Sequence, residues 1–423
     1  MANNFNKEER VAFEEIIEGF QDALVLSKNV NVHKTDAQSM ERSNNTVWRP
    51  MPYIAQSFDG TDQTANFGDV TQLSVPSQIN VTKSSPWVMT ANELNDSLQE
   101  GNLGKAARQK LASDINVSVM NTAANQGTLV VARATAASGF DDVAECEAIM
   151  NEQGIDGFDR YLALSTRDYN GMADNLASRT LGNSNKSLTA YEKASIGEIA
   201  SFDTFKLDYA NQLAAATATT VSVTAASQFY TPAATSTAAT GESSNVDNRY
   251  QTIGLTVGGG AVAVGDCFTI VGVNAVHHIT KASTGELKTF RIISDVSGAG
   301  GTGNYQISPP IISNEGATDA EAQYKNVTAT PAIGALLVFL NTTAARINPF
   351  WKKNAIELLP GRFAVPSDAG ANVLRASTDQ GLELVMQKQY DINTMKTKYR
   401  IDTFYGTVML NPEMCGIELF GQV

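Results

Sequence analysis

Few residues of this chain could do chemistry. It has three histidines, His33, His277 and His278, and three cysteines, Cys146, Cys267 and Cys415. His277 and His278 are adjacent in an apolar stretch, Val271 to Ile279, that predicts a strand. Neighbouring strand residues point to opposite faces, so from a regular strand this pair cannot chelate one metal. The cysteines are widely separated, odd in number and form no CxxC, which predicts buried thiols and neither a disulfide frame nor a metal site. The chain contains no HExxH, no GxSxG and no GxxxxGK followed by Ser or Thr. Gly298-Ala299-Gly300-Gly301-Thr302-Gly303 fits GxGxxG, a pattern that brings backbone amides to a pyrophosphate when a helix follows. Here Tyr305-Gln306-Ile307-Ser308-Pro309-Pro310 follows, extended chain with prolines, so a hairpin turn is predicted. Asp141-Asp142 precedes the helical stretch Val143 to Met150, where acids complement a helix N-terminus. Nothing assembles a nucleophile, a base and an orienting partner, so no catalytic residue, metal or cofactor is expected.

Composition narrows the classes further. The 423 residues carry 44 acidic and 31 basic side chains, a formal charge of −13, which opposes gripping nucleic acid through a basic surface. A hydrophobic content of 43% excludes a disordered chain. No apolar run nears the roughly 18 residues of a membrane span. The N-terminus carries acid where a signal peptide needs a basic start, so a soluble protein made inside the cell, without membrane contact, is expected.

The elements that would position side chains can be read from periodicity. Phe13, Ile16, Ile17, Phe20 and Leu24 recur at helical steps and predict an amphipathic helix over 7–28, docked on this subunit or on another. Residues 53–89 have extended character and predict a two-stranded arm that needs a surface to lie on. Thr90-Ala91-Asn92-Glu93 matches a capping box. After it Leu103, Ala107, Leu111, Ile115 and Val119 predict a long helix from about 95 to 125, with Gly127 as its stop. Residues 128–212 read as α+β, with a strand at Tyr161 to Leu164. Leu213 to Gly241 has no charged residue, and from there to about 343 glycine-punctuated strands predict a small β-barrel or sandwich inserted into the α+β body. Helical and mixed character returns at Trp351, and strands end the chain.

Three motifs carry a resemblance. Ser39 to Pro50, Val246-Asp247-Asn248-Arg249-Tyr250, and Tyr405-Gly406 with Pro412-Glu413 and Gly416 resemble the major coat protein family of short-tailed double-stranded DNA bacteriophages. The resemblance is to the Salmonella-phage type, the Hong Kong phage capsid fold with an inserted β-domain. Their order and the chain length imply an N-terminal arm over 1–50, an extended loop over 51–89 and a spine helix with peripheral and axial α+β body over 90–218. An inserted β-domain over 219–343 and a return to the body over 344–423 complete the layout.

The resemblance implies a structural protein that forms hexamers and pentamers of an icosahedral head. It would assemble on a scaffolding protein, join a portal complex, expand on maturation and enclose double-stranded DNA without sequence-specific binding. It would reside in the virion after assembly in the host cytoplasm. Residues 51–82 contain no lysine, which speaks against the loop-to-neighbour crosslink of some relatives. A first helix beginning near residue 7 implies a separate scaffolding protein. The implied contacts are the acidic face of the first helix (Glu8, Glu9, Glu14, Glu15 and Glu18) toward scaffold or neighbour, and Phe58, Phe67 and Leu73 toward a neighbour. A loop of the insertion, Glu242 to Arg249, would meet its mate across a symmetry axis through Glu242, Asp247 and Arg249. A competing reading is a surface- or carbohydrate-binding β-rich phage structural protein, which expects exposed aromatic clusters in 219–343.

Overall fold

The computed structural model describes residues 7–34, 46–51, 57–64, 67–68, 70–90, 93, 97–178, 196–297, 299–363 and 372–423. The first motif lies partly outside them, at 39–45. The chain divides into two compact units. One comprises Met1–Val47, Pro76–Asn121 and Ile356–Val408, the other Trp48–Val75, Thr122–Ala355 and Met409–Val423.

In the first unit the amphipathic stripe folds as helix α1, Lys7–Ala23, followed by a 3-10 turn at Leu26–Asn29. Phe13, Ile16, Phe20 and Leu24 are buried. The partner is the subunit's own long helix α2, Ser97–Gln126: Arg108 Nη1 donates to the Glu15 carbonyl at 3.2 Å, and the Leu26 amide to Asn116 Oδ1 at 3.2 Å. Along α2, Ala107, Leu111, Ile115 and Val119 are buried at helical spacing, whereas Leu103 is 40% exposed. The sheet of this unit runs in the order Asn31–Val32, Ile356–Pro360, Lys396–Met409, Glu383–Asp391, Asn372–Ser377.

Val81–Thr90 pairs with Lys396–Tyr405 over ten residues in that sheet. The expected two-stranded arm over 53–89 is corrected here. Its second half is a sheet strand, held by a full ladder of backbone bonds and by Trp87 stacked on Tyr399 at 5.5 Å. Its first half contributes Ser74–Gln78, which pairs with Thr46–Pro50 as a two-stranded ribbon.

The second unit holds two six-stranded sheets. A mixed sheet runs Leu129–Ala132, Cys415–Leu419, Asn348–Lys352, Arg160–Ser165, Phe202–Leu207, Glu198–Ile199. Helices α3, Phe140–Glu152, and α4, Thr166–Ser178, supply Val143, Cys146, Met150, Tyr169 and Met172 to its core beside Leu162, Phe202 and Phe350. Trp351 lies within a strand, which corrects the expected return of helical character. Buried on both faces, Asn348–Lys352 lacks the alternation that marks a strand in sequence.

The other sheet is antiparallel, with its strands between Thr219 and Phe339, ordered Thr219–Val223, Gln251–Gly259, Gly303–Ser308, Ser283–Asp295, Cys267–Val276, Leu337–Phe339. The Val223 amide donates to the Ala335 carbonyl and the Gly334 amide to the Val223 carbonyl, both at 2.9 Å, and Ser222 bridges Leu336, so the sheet closes on itself as a barrel. Ile253, Leu255, Phe268, Ile270, Phe290, Tyr305 and Ile307 fill it. Of the GxGxxG stretch, residue 298 lies outside the described residues, 299–302 join the strands Ser283–Asp295 and Gly303–Ser308, and Gly303 opens the second strand.

Candidate assembly surfaces

The end of α2 shows how local sequence fixes this unit. Gly127 does not adopt the left-handed backbone of a glycine cap. A Cβ there would lie 2.9 Å from the Ala123 carbonyl and 3.0 Å from Cys415 Sγ, so glycine is required by close approach. Arg291 of the barrel, 1% exposed, donates Nη1 to the carbonyls of Ala124 and Gly127, a cation at a helix C-terminus.

Beside it lies a buried polar cluster that periodicity does not show. Glu413 Oε1 accepts from Lys288 Nζ and, at 3.2 Å, from Asn326 Nδ2, while Lys288 also donates to Gln153 Oε1 at 3.1 Å. His278 Nε2 stands 3.8 Å from Glu413 Oε2. Burial works to raise the Glu413 carboxyl, but Lys288 and His278 hold it down at about 2. Burial pushes His278 down to about 4 against the attraction of Glu413. The histidines lie beyond the strand, which ends at Val276. His277 Nδ1 accepts the amides of Ile279 and Thr280 at 3.2 Å, so it is a turn residue. All three cysteines are free and buried; burial raises their thiols, that of Cys267 to about 11. The cluster is internal to the subunit, and its signals in the sequence are the pairs His277-His278 and Pro412-Glu413.

The surfaces are elsewhere. On α1, Glu14, Glu15 and Glu18 are exposed opposite the buried stripe; Glu8 and Glu9 lie in the same helix. In the extended segment Phe58 is 50% and Phe67 88% exposed. Between them Asp62 Oδ1 accepts from the Thr64 amide and hydroxyl at 3.1 and 2.7 Å, a local turn. Leu73 differs. It is 3% exposed and packs on Ile312 and Tyr324 of its own chain, where Tyr324 OH donates to the Thr71 carbonyl at 2.8 Å. The expected neighbour contact of Leu73 is therefore corrected: the side chain is spent mooring the segment.

The loop expected to span a symmetry axis forms a hairpin, Thr235–Thr237 with Ser243–Asn245, exposed throughout. Glu242 is exposed at its turn. At its base Asn248 satisfies its whole amide, accepting from Tyr230 OH and the Ala233 amide at 3.0 Å and donating to the carbonyls of Ala233 and Val246. Arg249 is 7% exposed and closes a bidentate pair with Asp247 at 2.8 and 2.6 Å, its Nη1 donating to the Met409 carbonyl at 2.8 Å. The expected Asp247–Arg249 contact between subunits is corrected to an internal one, because a buried guanidinium must be satisfied where it is buried. Of the barrel region's aromatic rings, Phe268, Phe290, Tyr305 and Tyr324 are core, and Phe229, Tyr230, Tyr250 and Phe339 are half-buried.

Comparison with known proteins matches residues 1–421 to a family model described as P22 coat protein, gene protein 5. Among solved structures, one from Mycobacterium phage Che8 is 10% identical over 93% of this chain and 90% of that one, with a TM-score of 0.44. The CUS-3 coat protein I-domain is 35% identical over 29% of this chain and 95% of its own, with a TM-score of 0.22. A satellite phage P4 procapsid that includes size determination (Sid) protein is 6% identical over 96% and 90%, with a TM-score of 0.39.

Proposed function

Since the chain belongs to the P22 coat protein family, matched over residues 1–421, we propose how this structural protein builds its shell. It is a capsid subunit of the virion and not an enzyme, and it assembles with copies of itself. In our reading, hexamers and pentamers close into an icosahedral head on a separate scaffolding protein. The head then joins a portal complex and expands as double-stranded DNA enters. Assembly takes place in the host cytoplasm. The observation that carries this reading is the match along nearly the whole chain.

The exposed glutamates of α1 support a role as receiver of a basic scaffold segment, by charge complementarity. The exposed Phe58 and Phe67 support a neighbour-facing role for the segment around them. An excess of acid over base suits a wall that encloses DNA without trapping it. The Glu242 turn is the remaining charged point at which two insertion hairpins could meet. No helix among the described residues is long and apolar enough to cross a membrane.

The test is coexpression of this chain with its phage's scaffolding protein, followed by gradient sedimentation and electron microscopy. Uniform closed shells are expected. A slow-sedimenting subunit in the presence of scaffold would overturn the reading.

A further inference from the structure

Glu418 is an acid at the centre of the second unit that nothing neutralises. It lies in the strand Cys415–Leu419, every residue of which is buried, and is itself 0% exposed. Neither of its carboxyl oxygens has a hydrogen-bond partner among the described residues. Alternation along the strand sets the side it faces. Ile417 and Leu419 pack with Val130, Leu213 and Ile347, so Glu418 takes the opposite face, in register with Val131 and Asn348. On that face α3 covers the sheet, Val131 packing with Val143 and Cys146.

The groups around it are mostly of its own sign. Asp142, in the first turn of α3, has a fully buried side chain that accepts from Arg133 Nε at 3.0 Å and from the amides of Ser138 and Gly139 at 2.7 and 3.0 Å. Asp168, in the first turn of α4, accepts from the Ser165 hydroxyl at 2.6 Å and from Asn348 Nδ2 at 3.1 Å. Arg133, the cation that acts on Glu418, is shared by Asp142 and Glu145. Burial raises the Glu418 carboxyl well above the ordinary range; Asp142, Asp168 and Glu145 add to the rise and Arg133 opposes it. The thiol of Cys146 is pushed up as well, by burial first, so it supplies no charge. An ionised acid without a partner is costly to bury, and such a group keeps its proton instead. We propose that Glu418 holds its proton at neutral pH and acts as a pH-sensitive catch between the strand Cys415–Leu419 and the helices α3 and α4. The neutral acid lets the helices sit on the sheet; losing the proton sets it against Asp142, Asp168 and Glu145 and loosens them. The unfolded chain releases this proton near 4.5, while the fold retains it to higher pH. Its contribution to stability is therefore full below 4.5 and falls as pH rises through neutrality. His278, lowered in the fold, acts in the opposite sense and mainly below 6.5.

The experiment compares the unassembled subunit as wild type and as Glu418→Gln, by urea unfolding between about pH 7 and pH 9 and by infrared spectroscopy of the folded protein. Groups common to both proteins, Lys281 and the thiols among them, cancel in the ratio of the two folding constants. That ratio should move in favour of the variant by up to about tenfold per pH unit until Glu418 ionises in the fold. At neutral pH the folded wild type should show the carbonyl band of a protonated carboxyl, moved by carbon-13 labelling of glutamate and missing from the variant. The labelled wild type decides the question even where the variant does not fold. Absence of that band from the wild type would overturn the proposal, and so would a ratio that stays constant across the pH range. Neither result bears on the coat-protein reading.

Discussion

Glu413, its side chain 15% exposed, serves the buried Lys288, Asn326 and, at longer range, His278. Removing a single partner of such a pair leaves an uncompensated charge, at a cost of about 3–5 kcal/mol. Lys288→Met should therefore destabilise the unassembled subunit by about that amount in urea unfolding. The double variant with Glu413→Leu should recover much of the loss. His278 adds a pH dependence of definite sign. Its folded-state value, about 4, lies below the ordinary 6.5, so the unfolded chain binds more protons between those values. Stability is then lost as pH falls from 6.5 toward 4, by about 2 kcal/mol at pH 5. The urea midpoint should drop from pH 7 to pH 5 by more in wild type than in His278→Asn.

Elements differ in how far sequence discloses them. Phe13, Ile16, Phe20 and Leu24 announce α1 because a 3.6-residue period needs no distant partner. Val81–Thr90 was legible as extended chain but not as the ladder partner of Lys396–Tyr405, because alternation fixes a strand's face without naming its neighbour. The same holds for Asp247 and Arg249. The residue types suggested an ion pair, and only the fold shows it closed inside the subunit. Gly406 stood in a family-like motif without a visible reason; a Cβ there would meet the Gln78 carbonyl at 2.1 Å. Gly406→Ala should destabilise by about 1–3 kcal/mol or prevent folding. Arg291 was one basic residue in a strand, yet it binds the last carbonyls of α2. Arg291→Ala should lower stability by about 2 kcal/mol, read as a shifted urea midpoint.

At the scale of the whole molecule, burial separates what holds the subunit from what is left for its neighbours. The barrel core, the Glu413 cluster and the Asp247–Arg249 pair are satisfied within one chain. Phe67 is left almost bare by its own chain and Phe58 half bare. Phe67→Ser should accordingly change subunit stability by less than about 0.5 kcal/mol while reducing the yield of closed shells.

The most direct test is amide hydrogen exchange compared between the unassembled subunit and purified shells. Protection is expected to rise on assembly at residues 57–70, with little change at 247–249 and in the barrel strands. Unchanged exchange at 57–70, with new protection confined to the barrel, would rule out a neighbour-facing role for Phe58 and Phe67.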